Sequence, residues 1–390
     1  PLFEIHSLSA ALPELSRYQA LLLTSANALL DCGPESLAAA PAVFAVGEAT
    51  AAVRAIRLGA DGRRLVTASD DPIVRVFDLS VEPGKPRLLE AFPGHTSGVL
   101  SVASSADGRI LVSGGADNTL RQWASPVRGA VAAHPGKIRQ VAFGPGGSEL
   151  FTAGEDGQLL SWDAATLEPI RSLVAGKSPV ASVAVGPDGA LVAAVSEDGR
   201  LQVLERETGA VKAQWESPEK LRAVAIGEQG QILVGDEKGT ILNFALGGEG
   251  QLEEIQQCTG HTGPVLALAI AADGEFYSTS ADRTARRWVA ATALPLHVLA
   301  GHQGQVFGLD FLGGTRLVSG SADGTARIWD LAEGKQLASC EGHEGAVLAV
   351  ACRSEDKQFA TAGEDGSLRH WDIEGKQVAE WTLPEDAGTP

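Results

Sequence analysis

Histidine, a hydroxyl residue and aspartate recur together in this chain, and these are the groups from which a nucleophilic relay is built. The sets are His95, Ser113 and Asp117; His134, Thr152 and Asp156; His261, Ser278 and Asp282; His302, Ser319 and Asp323; and His343, Thr361 and Asp365. In a hydrolase the aspartate orients the imidazole, which takes the proton of the attacking hydroxyl. Such a constellation is unique in its enzyme and stands beside one oxyanion site. Here it occurs five times, and each copy has a tryptophan six residues past its aspartate: Trp123, Trp162, Trp288, Trp329 and Trp371. A buried indole N–H and a buried carboxylate both need partners. The expected role is therefore structural: four side chains that satisfy one another and fasten a repeated unit.

The elements that position these residues repeat as well. Aligned on the turn aspartate, the copies fall at Asp71, Asp117, Asp156, Asp198, the substituted position Lys238, Asp282, Asp323 and Asp365. The intervals are 46, 39, 42, 40, 44, 41 and 42 residues, the length of one four-stranded sheet in a stacked array. Apolar alternation in Val99-Leu-Ser-Val-Ala, Ile110-Leu-Val-Ser and Thr119-Leu-Arg-Gln-Trp123 predicts three strands, and a weaker fourth follows each Trp. A lone sheet of this kind cannot cover both faces, so eight of them must stack around an axis. Six of the eight positions four residues before the aspartate carry a hydroxyl, whereas the position two before varies freely among Gly, Ser and Asp. Three copies depart from the pattern, with Glu48 and Phe77 in the first, Ala194 and Leu204 in the fourth, and Val234, Lys238 and Phe244 in the fifth. Each change removes a polar partner from an otherwise apolar unit, so these copies are expected to be the softest.

On the repeated G-H, S/T-x-x-x-D and W-D elements, residues 47–382 resemble the WD-repeat family of β-propellers. The resemblance implies an all-β ring of four-stranded antiparallel blades that displays a rigid surface to other proteins. Seven blades are usual in that family; eight are counted here, at about 47–92, 93–132, 133–174, 175–215, 216–259, 260–300, 301–341 and 342–382. Closure could rest on face packing of the first and last blades or on pairing by 42–46. The resemblance also implies that the turn aspartate opens on one face of the ring, beside the residue before it. Those neighbours include Asp70, Glu155, Glu197, Glu237 and Glu364, candidate contacts for a basic partner. The alternative is that they are ordinary solvated turn carboxylates. Arg75, Arg121, Arg286, Arg327 and Arg369, two residues before each Trp or its substitute, are expected to pair within the blade.

Residues 1–46 read differently, as an α/β lead-in of apolar runs and Ala-rich stretches. Pro1-Leu-Phe-Glu-Ile, Leu-Thr-Ser25-Ala-Asn27 and Val-Gly47-Glu-Ala-Thr50-Ala resemble an internal piece of uroporphyrinogen-III synthase. That resemblance, over residues 1–54, implies that Ser25 and Thr50 would lie near tetrapyrrole carboxylates. It carries the alternative function, a fusion or relic of tetrapyrrole biosynthesis, with activity not expected. Residues 383–390 are expected to be a disordered tail.

Composition narrows the partners. A chain of 390 residues exceeds one core, and 46 glycines with 44% hydrophobic residues suit short strands and tight turns. The net charge of −18 argues against nucleic acid or an anionic membrane and for a protein partner, a basic one in particular. Cys32, Cys258, Cys340 and Cys352 have neither C-x-x-C nor haem-attachment spacing, and are expected to be reduced thiols in a cytoplasmic protein. No spacing suggests a metal or cofactor. The reading is a non-enzymatic interaction scaffold.

Overall fold

A computed structural model describes residues 21–23, 43–45 and 51–382, apart from 59–62, 80–86, 106–109, 124–128, 145–146, 228–229, 249, 272–273, 290–292, 313–314 and 354–357. The chain divides into Pro1–Thr50 and Ala51–Pro390. In the first unit Leu21–Leu23 pairs in parallel with Val43–Ala45. Parallel strands need a crossover between them, and residues 24–42 lie outside the described residues, as do Ser25, Thr50 and 383–390.

Alternating apolar residues and Gly- or Asp-bearing turns make each repeat of the second unit an antiparallel meander. Blade one is Val53–Leu58, Arg64–Ser69, Ile73–Asp78 and Arg87–Pro93, and seven further four-stranded sheets follow in chain order. Their inner strands are Val99–Ser104, Ile138–Phe143, Val180–Val185, Leu221–Ile226, Val265–Ile270, Val306–Leu312 and Val347–Arg353. Each touches the inner strand of the next blade, and the last touches the first, so the eight enclose a central channel. The second strands form the core, and those of blades two, three and six are buried throughout. Apolar clusters span neighbouring blades: Trp162 and Ile138 of blade three meet Val112 and Leu120 of blade two.

Among the described residues, closure uses no exchanged strand. Blade eight takes all four of its strands from Val347–Arg353, Gln358–Gly363, Ser367–Asp372 and Gln377–Thr382. The seam is face packing: Val53, Ile56, Leu65 and Phe77 of blade one lie against Ala351, Ala360, Ala362 and Leu368 of blade eight.

One irregularity repeats in every blade. The ladder between inner and second strands skips the second inner residue, for example between Val53 and Ala55 and between Val265 and Ala267. A bulge re-aims the skipped side chain. The eight residues so treated are Arg54, Leu100, Arg139, Ala181, Arg222, Leu266, Phe307 and Leu348.

Candidate functional site

The five tetrads are assembled across two loops and two strands of one blade. The hydroxyl lies on the second strand, the indole on the third, the imidazole in the loop entering the blade and the carboxylate in the turn between them. His302 Nδ1 lies 2.9 Å from Asp323, His302 Nε2 lies 2.8 Å from Ser319 Oγ, and Trp329 Nε1 donates to the same oxygen at 2.8 Å. His95, Ser113, Asp117 and Trp123 repeat these contacts at 2.9, 2.7 and 2.7 Å. His134, Thr152, Asp156 and Trp162 do so at 3.0, 2.7 and 2.9 Å. In blade six His261, Ser278, Asp282 and Trp288 give 2.8, 2.7 and 2.8 Å, and in blade eight His343, Thr361, Asp365 and Trp371 give 3.0, 2.8 and 2.9 Å.

This is the connectivity of a hydrolytic relay with its nucleophile sealed. All five hydroxyl residues are 0% exposed. The oxygen that would attack a substrate instead accepts the indole N–H. Burial lowers the pKa of His95, His261 and His302 despite the facing carboxylates, so these imidazoles are neutral at pH 7. Burial pushes the Asp323 carboxyl up, but the backbone N–H of Gln303, the hydroxyl of Thr325 and His302 outweigh it and hold the carboxyl at about 2.

Two further positions belong to the network. A hydroxyl two residues after the aspartate donates to it: Thr119, Thr284, Thr325 and Ser367 at 2.8, 2.7, 2.7 and 2.8 Å. The position two before the aspartate is not free. In blades two, three and eight the histidine precedes the aspartate by 22 residues, its ring lies over that position, and Gly115, Gly154 and Gly363 stand there. A Cβ on Gly115 would come within 2.5 Å of His95 Nδ1 and 2.6 Å of Asp117 Oδ1. In blades six and seven the separation is 21, the ring is displaced, and Ser280 and Ser321 donate to Gly263 and Gly304 carbonyls at 2.9 and 3.1 Å. Gly154→Ser should therefore cost about 1–3 kcal/mol by overpacking the tetrad, read as a lowered thermal midpoint. A neutral substitution would show that the imidazole has room to move.

The departing blades replace the tetrad differently. In blade one the Thr67 hydroxyl has no hydrogen-bond partner among the described residues. In blade five the carboxylate has moved: Asp236 Oδ1 accepts the N–H groups of Lys238 and Thr240 at 2.9 and 2.7 Å, so the turn is held two residues earlier than the aligned position. Blades four and five share an apolar cluster that includes Ala193, Leu201, Val203, Leu221, Ile232, Val234 and Phe244. Faster amide exchange is still expected for Ala194 and Val234 than for Ser319. Equal protection would mean that apolar packing replaces the polar network in full.

The rim of the channel is built alike in every blade. The N–H before each aligned position bonds the carbonyl preceding the inner strand, from Asp70 to Ala52 at 2.9 Å round to Glu364 to Ala346 at 2.8 Å. This brings the residue before the turn beside the bulged residue. Asp70 pairs with Arg54 through Nε at 2.7 Å. Arg139 bridges Glu155 at 3.3 Å and Glu197 at 2.7 Å, and Arg222 bridges Glu197 at 3.5 Å and Glu237 at 3.4 Å. The acidic residues are thus interleaved with arginines; Glu364 makes no ion pair within 4 Å among the described residues, though its charge, after the Asp70 hydrogen bond, helps raise the pKa of Arg54. Blades six to eight turn out Leu266, Phe307 and Leu348, half-buried, beside Ala281, Ala322 and Glu364. The rim is charged over blades three to five and largely apolar over blades six to eight.

Away from the rim, Arg286 bonds Thr284 at 3.2 Å, and Arg369 bonds Gln377 at 2.8 Å and Glu380 at 2.6 Å, each within its own blade. Burial pushes the thiols of Cys258 and Cys340 up to about 11 and 12, which makes them inert at neutral pH. No helix among the described residues is long and apolar enough to cross a membrane.

Fold and tetrads define an eight-bladed β-propeller. The family model of the WD domain, G-beta repeat, matches residues 43–78, 86–124, 127–163, 167–204, 252–288, 293–330 and 334–372, more than half of the sequence, and the chain belongs to the WD40 repeat family. The blade the model passes over is the fifth, which has Val234, Lys238 and Phe244 in place of the motif residues.

Among relatives, the Periodic tryptophan protein 2 homolog of Schizosaccharomyces pombe is 33% identical over 102 residues, 25% of this chain and 12% of that protein. The Target of rapamycin complex subunit wat1 of the same yeast is 26% identical over 103 residues, covering 26% of this chain and 32% of its own. The Serine-threonine kinase receptor-associated protein of Gallus gallus is 25% identical over 243 residues, 60% of this chain and 54% of that protein. The chain therefore spans between 12% and 54% of these relatives' lengths. The crystal structure of the computationally designed Ika8 protein superposes with a TM-score of 0.73 at 25% identity, over 83% of this chain and 97% of that one.

Proposed function

We propose that the chain is a non-enzymatic protein-interaction scaffold whose partner docks across the bulged rim of the channel. The observation that carries this reading is the repeated bulge, which turns eight side chains out of the ladder at one end of the ring. Relatives named as a complex subunit and a receptor-associated protein support a partner that is itself a protein. The sealed hydroxyls favour a structural use of the tetrads over a catalytic one.

The two arcs specify the partner's chemistry. Leu266, Phe307 and Leu348 offer an apolar seat, and burying such side chains drives association. Opposite them, Glu155, Glu197 and Glu237 exceed Arg139 and Arg222 by one charge, and Glu364 adds another, so the matching segment carries apolar anchors and a basic edge. Affinity capture with mass spectrometry, run on wild type and on Phe307→Asp with Leu348→Asp, tests this. Partners retained equally by both, with folding intact, would remove the rim as the docking surface.

Charge reversal at Glu155, Glu197 and Glu237 should weaken capture and its salt dependence, and it also breaks the bridges between blades three, four and five. A thermal midpoint measured alongside separates the two effects. For the N-terminal resemblance, an assay for uroporphyrinogen III from hydroxymethylbilane is expected to give no product.

A further inference from the structure

One position along the inner strands is nearly uniform from blade to blade, and its exceptions are charged. The inner-strand residue paired with the position five before each aligned turn residue is alanine in six blades: Ala103, Ala142, Ala184, Ala225, Ala269 and Ala351. In blade one it is Arg57, opposite Val66, and in blade seven Asp310, opposite Val318. A guanidinium and a carboxylate thus stand where every other blade has a methyl group.

The two charges are not equally provided for. Asp310 Oδ1 accepts the Phe311 N–H at 2.8 Å, and Oδ2 accepts the Cys352 N–H of blade eight at 2.8 Å, so the carboxylate is anchored. Arg57 makes one long hydrogen bond, from NH1 to the Ile56 carbonyl at 3.4 Å. Its remaining N–H donors have no partner among the described residues, and the side chain is exposed to water. Although the guanidinium is exposed, crowding by the surrounding chain lowers its pKa, an effect Asp310 only partly offsets. A planar fork of donors left open fits an oxyanion, because carboxylates and phosphates accept two parallel N–H bonds.

We propose that the central channel holds a binding site for a small oxyanion, a carboxylate or a phosphate, gripped by Arg57 on the inner strand of blade one. Asp310 stands near enough to act on the same charge and limits the affinity. The site is independent of the rim and of the partner that docks there.

Isothermal titration of the full chain with inorganic phosphate and with succinate, at constant ionic strength, tests the site and separates the two anion classes. Arg57→Ala installs the residue that six other blades carry, so the fold is expected to stand, as an unchanged thermal midpoint would show. Wild type should bind at least one anion saturably. Arg57→Ala should weaken that binding about tenfold or more, and Asp310→Asn should tighten it by removing a repelling charge. If Arg57→Ala fails to fold, Arg57→Lys keeps the charge without the fork and should bind more weakly. Saturable binding of neither anion, or binding unchanged by substitution at Arg57, overturns the proposal.

Discussion

Trp329→Ala is expected to lower the unfolding free energy by about 3–5 kcal/mol, near the upper end for a single side chain. The indole is 1% exposed and packs with Tyr277, Leu299, Leu317 and Leu331, which join blade seven to blade six. Its removal opens a cavity and leaves the Ser319 hydroxyl short of a donor. Ser319→Ala should cost about 1–3 kcal/mol, because it strands both the Trp329 N–H and His302 Nε2. The double variant should cost less than the two losses added, since both act on one network. Trp215, on the outer strand of blade four with its ring centroid 5.2 Å from that of Phe244, belongs to no tetrad, and Trp215→Ala should cost only about 1–2 kcal/mol. Denaturant midpoints for the four variants give the comparison. Equal costs for Trp329 and Trp215 would mean that the tetrad adds nothing to packing.

Acidification should destabilise the ring in two overlapping stages. His95, His261 and His302 have folded pKa values below the ordinary 6.5, so the unfolded chain binds more protons and stability falls as pH drops through that value. Asp117, Asp282, Asp323 and Asp365 are also lowered: burial pushes each up, and hydrogen bonds from imidazole, hydroxyl and backbone groups pull it further down. Their contribution is complete above the ordinary 3.8 and, for Asp323, is lost towards about 2. Both stages lose stability in the same direction. The loss is progressive as pH falls from about 7 to about 3. Unfolding curves recorded across that range check it, and a flat profile down to about pH 4 would show that the imidazoles protonate as readily folded as unfolded.

The repeat was the most legible feature of the sequence. Spacing between Asp117, Asp156, Asp282, Asp323 and Asp365 counts the blades, because a four-stranded meander uses a nearly constant length of chain. The same spacing names the groups that meet in each tetrad, since all four lie within one repeat. Blade five hid its turn, because Asp236 does from two residues earlier what an aspartate at 238 would do. The alternation of Gly and Ser two residues before the aspartate looked arbitrary until the ring position set by 21 or 22 intervening steps gave it a cause. Thr119, Thr284, Thr325 and Ser367 were visible as a column of hydroxyls and could have been found by extending the alignment two places.

What the sequence concealed depends on neighbouring blades. Glu197 read as a free acid, yet its partners are Arg139 of the blade before and Arg222 of the blade after. Arg57 and Asp310 are 253 positions apart, and only ring closure puts them on one wall. A repeat alignment compares equivalent positions and says nothing about which of them face each other.

The most direct test of the sealed tetrads is the protonation state of their histidines, read by long-range proton–nitrogen NMR on the folded chain. His95, His261 and His302 should be neutral at about pH 7, with the proton on Nδ1 facing the aspartate and Nε2 accepting from the buried hydroxyl. Imidazoles that titrate near the ordinary histidine value and exchange freely with water would contradict the account, because they would be open to solvent and free to act.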